Sequence, residues 1–350
     1  MYPGGPCCAR LTGLAPFSSA DRQTAALVGV ELSFCVVNTE QRGLLRYCMD
    51  AIARERATVD FEIEVLVLDN ASQDGSVDVA RRHPVTTEVI ALSQRRGKAA
   101  NDSALLRRAT GRFCLLLNED SELEPGATVA LHAALDEDER AGAAGAMLVR
   151  PDGVQQPSAW RFPSVSTALF AALWLHKSLV VQSKGEETRP VDWVQSAAML
   201  VRRSAAEEIG FFDEDFFVYS DEVDFCKRLS DAGWHSLYVP SARAVHHEQL
   251  STGNVPSRRI VEFSRNRDRY MRKHHTKLAA WAVRLLTAWA YGVRTVGALV
   301  MPGHNPKRYA KHVSATLLPH RGEGLREGAD EFNRQLGPGG VADLRADEPR

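Results

Sequence analysis

The chain reads as an α/β protein built on a doubly wound, mostly parallel sheet with flanking helices, followed by a C-terminal helical segment. Three observations predict this. Four apolar runs rich in strand formers, ELSFCVVN (31–38), EIEVLVLDN (62–70), VTTEVIALS (85–93) and RFCLLLNED (112–120), recur through the first third of the chain. The intervals between them carry helical spacing, as in LLRYCMDAIARE, where Leu44, Leu45, Cys48 and Ile52 fall on one face. Strands joined in this way by helices of roughly ten residues pair in parallel. Finally, three of the runs end in amide or acidic residues, and ligands of such sheets sit beyond the carboxyl ends of the strands.

Composition sets the remaining bounds. With 350 residues, 44% apolar and 25% charged, the chain has the make-up of a globular protein, long enough for a catalytic domain and an accessory segment. Lys plus Arg (43) nearly balance Asp plus Glu (44), so no global basic field points to nucleic acid. The six cysteines form no CxxC pair and have no metal-ligand spacing, which fits a reducing, cytoplasmic setting. Residues 1–28 contain Pro and Gly without a charged segment leading into a long apolar run. They read as a loose leader rather than a secretory signal.

From Pro125 the reading continues with a helix over about 126–137 and a strand in AGAAGAMLVRPDG. Residues 157–190, with TALFAALWLHKSLVV, lack clean alternation and read as a mobile or membrane-adjacent insertion. Order returns in the segment VDWVQ to VHHE as a strand, helix, loop, helix and strand. The run LAAWAVRLLTAWAYGVRTVGALVM is long enough to span a bilayer, but Arg284 and Arg294 interrupt it. A helix or helix pair lying on a membrane surface or packed on the core is expected instead. The last thirty residues read as a polar tail.

Four clusters carry chemistry. Asp69, at a strand's carboxyl end, is placed for ligand contact, whereas Asp74 and Ser76 suit a turn or helix cap. Asn118, Glu119, Asp120 and Glu122 offer the oxygen ligands that magnesium or manganese prefers, and alternation puts Asn118 and Asp120 on one side. Asp221 and Glu222 begin a helix where its dipole favours anions, a junction suited to accepting a proton from a hydroxyl group. Asp224 pairs with Arg228 one turn on, and Val223, Phe225, Cys226 and Leu229 form the buried side. His246 or His247, after the last core strand, has the chemistry to complete a metal shell. Arg95, Arg96 and Lys98 precede a helix start suited to pyrophosphate. The Arg265, Arg267, Arg269, Arg272 and Lys273 patch suits a leaving diphosphate or lipid headgroups.

The order of the motifs VVN, LDNASQDGS, RRGKAAND, GRFCLLLNED, DWVQSAAMLVRR, IGFFDEDFFVYSDEVDFCKRL and VHHE resembles family-two glycosyltransferases of the GT-A fold. The likeness runs over about residues 30–275 and is strongest to the bacterial rhamnosyltransferase-like group. It implies a domain over 29–275, with a nucleotide-binding half (29–125) and an acceptor and catalytic half (126–275). The amphipathic segment 276–320 and the tail 321–350 follow. The resemblance assigns Asn38, Asp69, Asn70, Arg96, Gly97, Asn118 and Asp120 to the donor. It assigns Trp193, Gln195 and Ser196 to acceptor and sugar, and Asp120 with His246 or His247 to Mn2+ or Mg2+. Glu222 or Asp221 becomes the base of an inverting displacement.

Three motifs depart from the usual pattern: Asn38-Thr39-Glu40 after the first strand, Glu119 where relatives have Pro, and Asp221-Glu222 in reversed acid order. The implied function is transfer of a sugar, rhamnose from a thymidine diphosphate donor first, to a glycan or lipid-linked acceptor in cell-surface polysaccharide synthesis. The setting would be the inner face of the plasma membrane. A uridine-diphosphate hexose or hexosamine transferase and a non-catalytic nucleotide-sugar or glycan-binding scaffold are the alternatives.

Overall fold

The computed structural model describes residues 29–248, 256–301 and 303–336. The expected leader (1–28) and the end of the expected tail (337–350) lie outside them.

The first half follows the alternation of the sequence. Strand β1 (Leu32–Asn38) leads to helix α1 (Arg42–Arg56), β2 (Ile63–Asp69) to α2 (Ser76–Arg82), and β3 (Glu88–Ala91) to α3 (Lys98–Arg108), ahead of β4 (Phe113–Asn118). All seven residues of β1 are buried, as expected of a parallel strand covered on both faces. Leu45, Cys48, Met49 and Ile52 of α1 pack on one side of the sheet, while Leu105 and Leu106 of α3 pack on the other.

Beyond β4 come β5 (Ser121–Leu123), α4 (Ala127–Glu137) and β6 (Ala141–Val149). The 157–190 insertion is built of β7 (Ala159–Trp160), α5 (Val165–Ala172), α6 (His176–Leu179) and β8 (Arg189–Val191), so it carries regular structure of its own. It is followed by β9 (Trp193–Val194), β10 (Ala198–Arg202), α7 (Arg203–Glu208), α8 (Asp221–Asp231) and β11 (His235–His246). Strand order in the large sheet is β3-β2-β1-β4-β10-β6-β11-β5, with β8 also on β11. The β1–β2, β1–β4, β2–β3 and β6–β11 pairs are parallel, whereas β10 runs antiparallel to both neighbours. Strand β11 bends at a register shift between Val239 and Arg243, where Pro240 lacks a ladder donor, and goes on to pair with β5.

Helices α9 (Pro256–His274), α10 (Lys277–Gly297), α11 (Pro306–Leu317) and α12 (Leu325–Leu336) complete the described chain. Segment 276–320 is thus a helix pair packed on the core through Ala280 and Val283, which meet Phe216, Tyr270 and Met271. No described helix is long and apolar enough to cross a membrane. Arg284, which interrupts the apolar run, is buried and donates to Asp268 at 2.6 Å. Residues 325–336 correct the expectation of a solvated tail, because Leu325, Ala329 and Phe332 give them an inward face at helical spacing.

Candidate active site

The register of the parallel strands gathers the polar strand ends. Asn38 lies opposite Asp69, and Val37 opposite Asn118. Asn38 Nδ2 donates to Asp69 Oδ1 at 2.7 Å, and the Ser72 backbone N–H donates to Asp69 Oδ2 at 2.9 Å. Both carboxylate oxygens of Asp69 are therefore engaged inside the protein, and it braces the floor rather than lining the cleft. Asn70 does line it, and clasps the approach to α3: its Oδ1 accepts from Arg96 N–H at 2.8 Å and its Nδ2 donates to Arg96 O at 3.1 Å.

The cleft has a volume of about 280 Å3. Val37, Thr39 and Asn70 form one wall; Arg95, Arg96, Lys98 and Asn101 stand beside them; Asn118, Glu119 and Asp120 close one end. Phe217, Val218 and Tyr219 from the loop before α8, Arg258 from α9, and Leu325, Gly328 and Ala329 from α12 complete it. Asn38, Asp69 and Gly97 stand behind this surface. A Cβ on Gly97 would lie 2.7 Å from the Phe217 carbonyl oxygen, the same oxygen that accepts from Lys98 N–H at 2.7 Å. Glycine at that position thus lets the two walls meet.

Charge in the cleft is organised around Lys98, whose Nζ donates to Asp102 Oδ2 at 2.5 Å. Burial works against its ammonium, but Asp102 and Asp221 outweigh burial and keep it firmly charged. Arg95 pairs with Glu40 at 2.6 Å and stacks on Phe332, while Arg96 reaches Glu214 at 3.4 Å.

The two adjacent histidines separate. His246 is 3% exposed and its Nε2 lies 3.5 Å from Asp120 Oδ1 with no hydrogen-bond partner, while Gln156 Oε1 holds Nδ1 at 3.2 Å. His247, on the opposite face of the chain, instead meets Glu122 Oε1 at 2.6 Å, and its backbone N–H donates to Asp120 O at 3.0 Å. Burial and the charge of Asp120 push the Glu119 carboxyl up to about 8. Among the described residues no cluster of three or more His, Cys, Asp or Glu side chains forms a closed metal cage. Asp120 lines the cleft, and the buried His246 faces it from behind that surface.

Asp221 starts α8 after two non-glycine residues in left-handed conformation, Tyr219 (φ 68°) and Ser220 (φ 61°). Each costs on the order of 1 kcal/mol, a strain found mostly at functional sites. The Tyr219 hydroxyl is fixed by Arg259 Nε at 3.1 Å. Asp221 is fully buried and neither carboxyl oxygen receives a hydrogen bond, whereas Glu222 is half-buried. Burial first, then the neighbouring Glu222 charge, push the Asp221 carboxyl well above the usual carboxylate range. Burial thus disfavours a charge on Asp221 at the start of α8.

Asp224 is structural, as its spacing to Arg228 implies: Arg228 Nε donates to it at 2.7 Å, and His274 and Lys273 meet its other oxygen at 2.7 and 2.8 Å. The basic patch of α9 is likewise consumed internally rather than offered to an anion. Arg265 meets Glu327, Arg269 meets Asp215, Arg272 meets Asp268, and Arg267 donates to Thr316. Trp193 stacks on Trp160 at 4.4 Å, Gln195 N–H donates to Ser158 O, and Ser196 is buried; none of the three lines the cleft.

Phe217, Tyr219, Arg258 and the α12 residues line the cleft without standing among the site residues expected from the sequence. The spacing of Leu325, Ala329 and Phe332 was the available signal for α12; nothing local marks Arg258 as part of the cleft.

The glycosyl transferase family 2 model matches residues 33–210. Over 235 residues the chain is 32% identical to an N-acetylglucosaminyl-diphospho-decaprenol L-rhamnosyltransferase of Mycobacterium tuberculosis, covering 61% of this chain and 76% of that protein. It is 33% identical over 88 residues to the rhamnosyltransferase WbbL of Escherichia coli, 25% of this chain and 33% of the relative. Among solved structures it resembles the mannosyltransferase PcManGT from Pyrobaculum calidifontis in complex with GDP-Man and Mn2+. That match has a TM-score of 0.52 and 17% identity, over 89% of this chain and 85% of that one, a likeness of fold. The cleft thus sits in a chain that belongs to glycosyl transferase family 2 and is a glycosyltransferase.

Proposed function

We propose that the enzyme moves a rhamnosyl unit from a thymidine diphosphate donor to a lipid-linked N-acetylglucosamine acceptor, with inversion at the anomeric carbon, in cell-surface glycan synthesis. The mycobacterial relative, matched over most of its length, supports the sugar and the acceptor class. The observation that carries the donor site is the buried, unpartnered His246 Nε2 facing Asp120 across 3.5 Å at the end of the cleft. A buried polar atom without a partner is costly unless a ligand satisfies it.

Asp120 and His246 fit a divalent cation that takes its remaining ligands from the donor diphosphate and water, the usual arrangement for magnesium and suitable for manganese. Bound there, the cation would neutralise charge developing on the leaving diphosphate. Lys98, held charged by Asp102, supplies further positive charge along the cleft. Asn70 and Arg96, locked together, present the wall against which the nucleoside is held.

Glu222 is the base. It is half-buried where its neighbour Asp221 is fully buried, and it accepts the acceptor hydroxyl proton as that oxygen attacks the anomeric carbon. The new C–O bond forms as the bond from that carbon to the diphosphate oxygen breaks, on the opposite face. One displacement gives inversion. Asp221, whose carboxyl burial pushes well above the usual range, stands beside it at the start of α8.

The test is a donor panel. Thymidine, uridine and guanosine diphosphate sugars are offered with a polyprenyl-diphosphate-linked N-acetylglucosamine acceptor, with manganese, with magnesium or with chelator, and product configuration is read by NMR. Rhamnosyl transfer with inversion, abolished by chelator, is expected. Transfer only from a uridine or guanosine donor, or retention of configuration, would refute the proposal.

A further inference from the structure

We infer that α10, together with the α5–α6 hairpin packed beside it, is a docking face for an anionic lipid bilayer. Leu278, Trp281, Leu285, Trp289 and Val296 recur at intervals of three, four, four and seven residues, which places them on one stripe of α10. They are at least half exposed, Leu278 at 80%. The stripe runs on into Leu299, Val300 and Met301, all exposed. Leu173, Trp174 and Leu179 of the neighbouring α5–α6 hairpin add three more exposed apolar groups.

A soluble surface seldom displays so many large apolar side chains together, and the opposite side of α10 already has its partners in Phe216, Tyr270 and Met271. Charge identifies the occupant. From Arg269 to Gly322 the chain contains no Asp or Glu; Arg269, Arg272, Lys273 and Arg284 meet carboxylates from outside that segment, which leaves six further Lys or Arg, and from Gly153 to Gly185 it again has no acid. Exposed Lys177, Lys277, Lys307 and Arg308 belong to these segments. Apolar side chains, tryptophans and a cationic surround without carboxylates match the boundary between acyl chains and anionic headgroups. A second protein copy bearing the same charge would be repelled. With no described helix able to span a bilayer, this is surface docking, not insertion. The inference goes beyond the sugar-transfer proposal and gives it a location, since a lipid-linked acceptor is presented at such a surface.

The full chain is floated with vesicles of phosphatidylcholine, with and without phosphatidylglycerol, while tryptophan emission is followed. Binding to the phosphatidylglycerol vesicles with a blue shift is expected. Leu285→Ser with Trp289→Ser, or Lys307→Glu with Arg308→Glu, should weaken it about tenfold or more. Melting temperature and transfer to a water-soluble acceptor should be unchanged, so this outcome is read separately from the donor proposal. Equal binding by wild type and variants, or no binding, overturns the inference. So does self-association in sedimentation that the apolar substitutions abolish while vesicles remain unbound.

Discussion

The Asn333 side chain closes two hydrogen bonds on the backbone of Arg95, 238 residues earlier: Oδ1 accepts from Arg95 N–H at 2.7 Å, and Nδ2 donates to Arg95 O at 3.0 Å. Phe332 lies under the Arg95 guanidinium at 3.5 Å. Together they latch α12 over the cleft whose wall Leu325 and Ala329 complete. Two lost hydrogen bonds of about 1 kcal/mol each predict that Asn333→Ala raises the donor Kd by up to about 30-fold with little change in kcat. Calorimetric titration with nucleotide diphosphate checks this; an unchanged Kd would mean that α12 is not part of the binding wall.

The separation of the two histidines gives a paired prediction. His246→Ala and Asp120→Asn should lower apparent affinity for manganese about 10- to 100-fold, while His247→Ala, whose side chain engages Glu122 instead, should leave it within about threefold. Metal titrations of transfer rate and of nucleotide-dependent melting temperature provide the readout. Equal losses in all three variants would contradict the assignment.

For the acidic pair, Glu222→Gln is expected to reduce kcat by about 10²- to 10⁴-fold with donor affinity retained. Asp221→Asn replaces a carboxyl that burial already favours in its neutral form, so its loss should be about tenfold or less. The reverse ranking would make Asp221 the base.

Asp224 gives a stability prediction with a defined sign. Burial opposes its ionisation, but hydrogen bonds from His274 and Lys273 and the Arg228 guanidinium outweigh burial and hold its pKa down to about 2. A depressed carboxylate contributes stability above its unfolded pKa and loses that contribution as pH falls through its folded value. Asp224→Asn should therefore cost about 2 kcal/mol at pH 7. The difference from wild type should shrink as pH falls from about 4 towards 2. Urea unfolding across that range measures it, and a constant difference would assign the loss to packing instead.

Much of the site is written locally. The alternation around β1, β2 and β4 marks buried strands, so Asn118 and Asp120 at the end of the last apolar run are recognisable as candidates from sequence. Asp221 and Glu222 open a helix whose buried stripe is equally plain. These features follow from side-chain periods of two and 3.6, which neighbouring residues encode by themselves.

Only the tertiary structure decided how distant segments meet. The short β5 exists through its pairing with β11, and that pairing, with the alternation of side chains along the chain, brings His246 to Asp120 and sends His247 to Glu122. Asp69 is held by Asn38 and Ser72 behind the cleft surface, and the cations of α9 look free until Asp215, Asp268 and Glu327 meet them. The sequence determined which residues had the chemistry. Folding determined which of that chemistry was spent within the protein and which was left facing the cleft, because hydrogen bonds and burial depend on neighbours that sequence spacing does not specify.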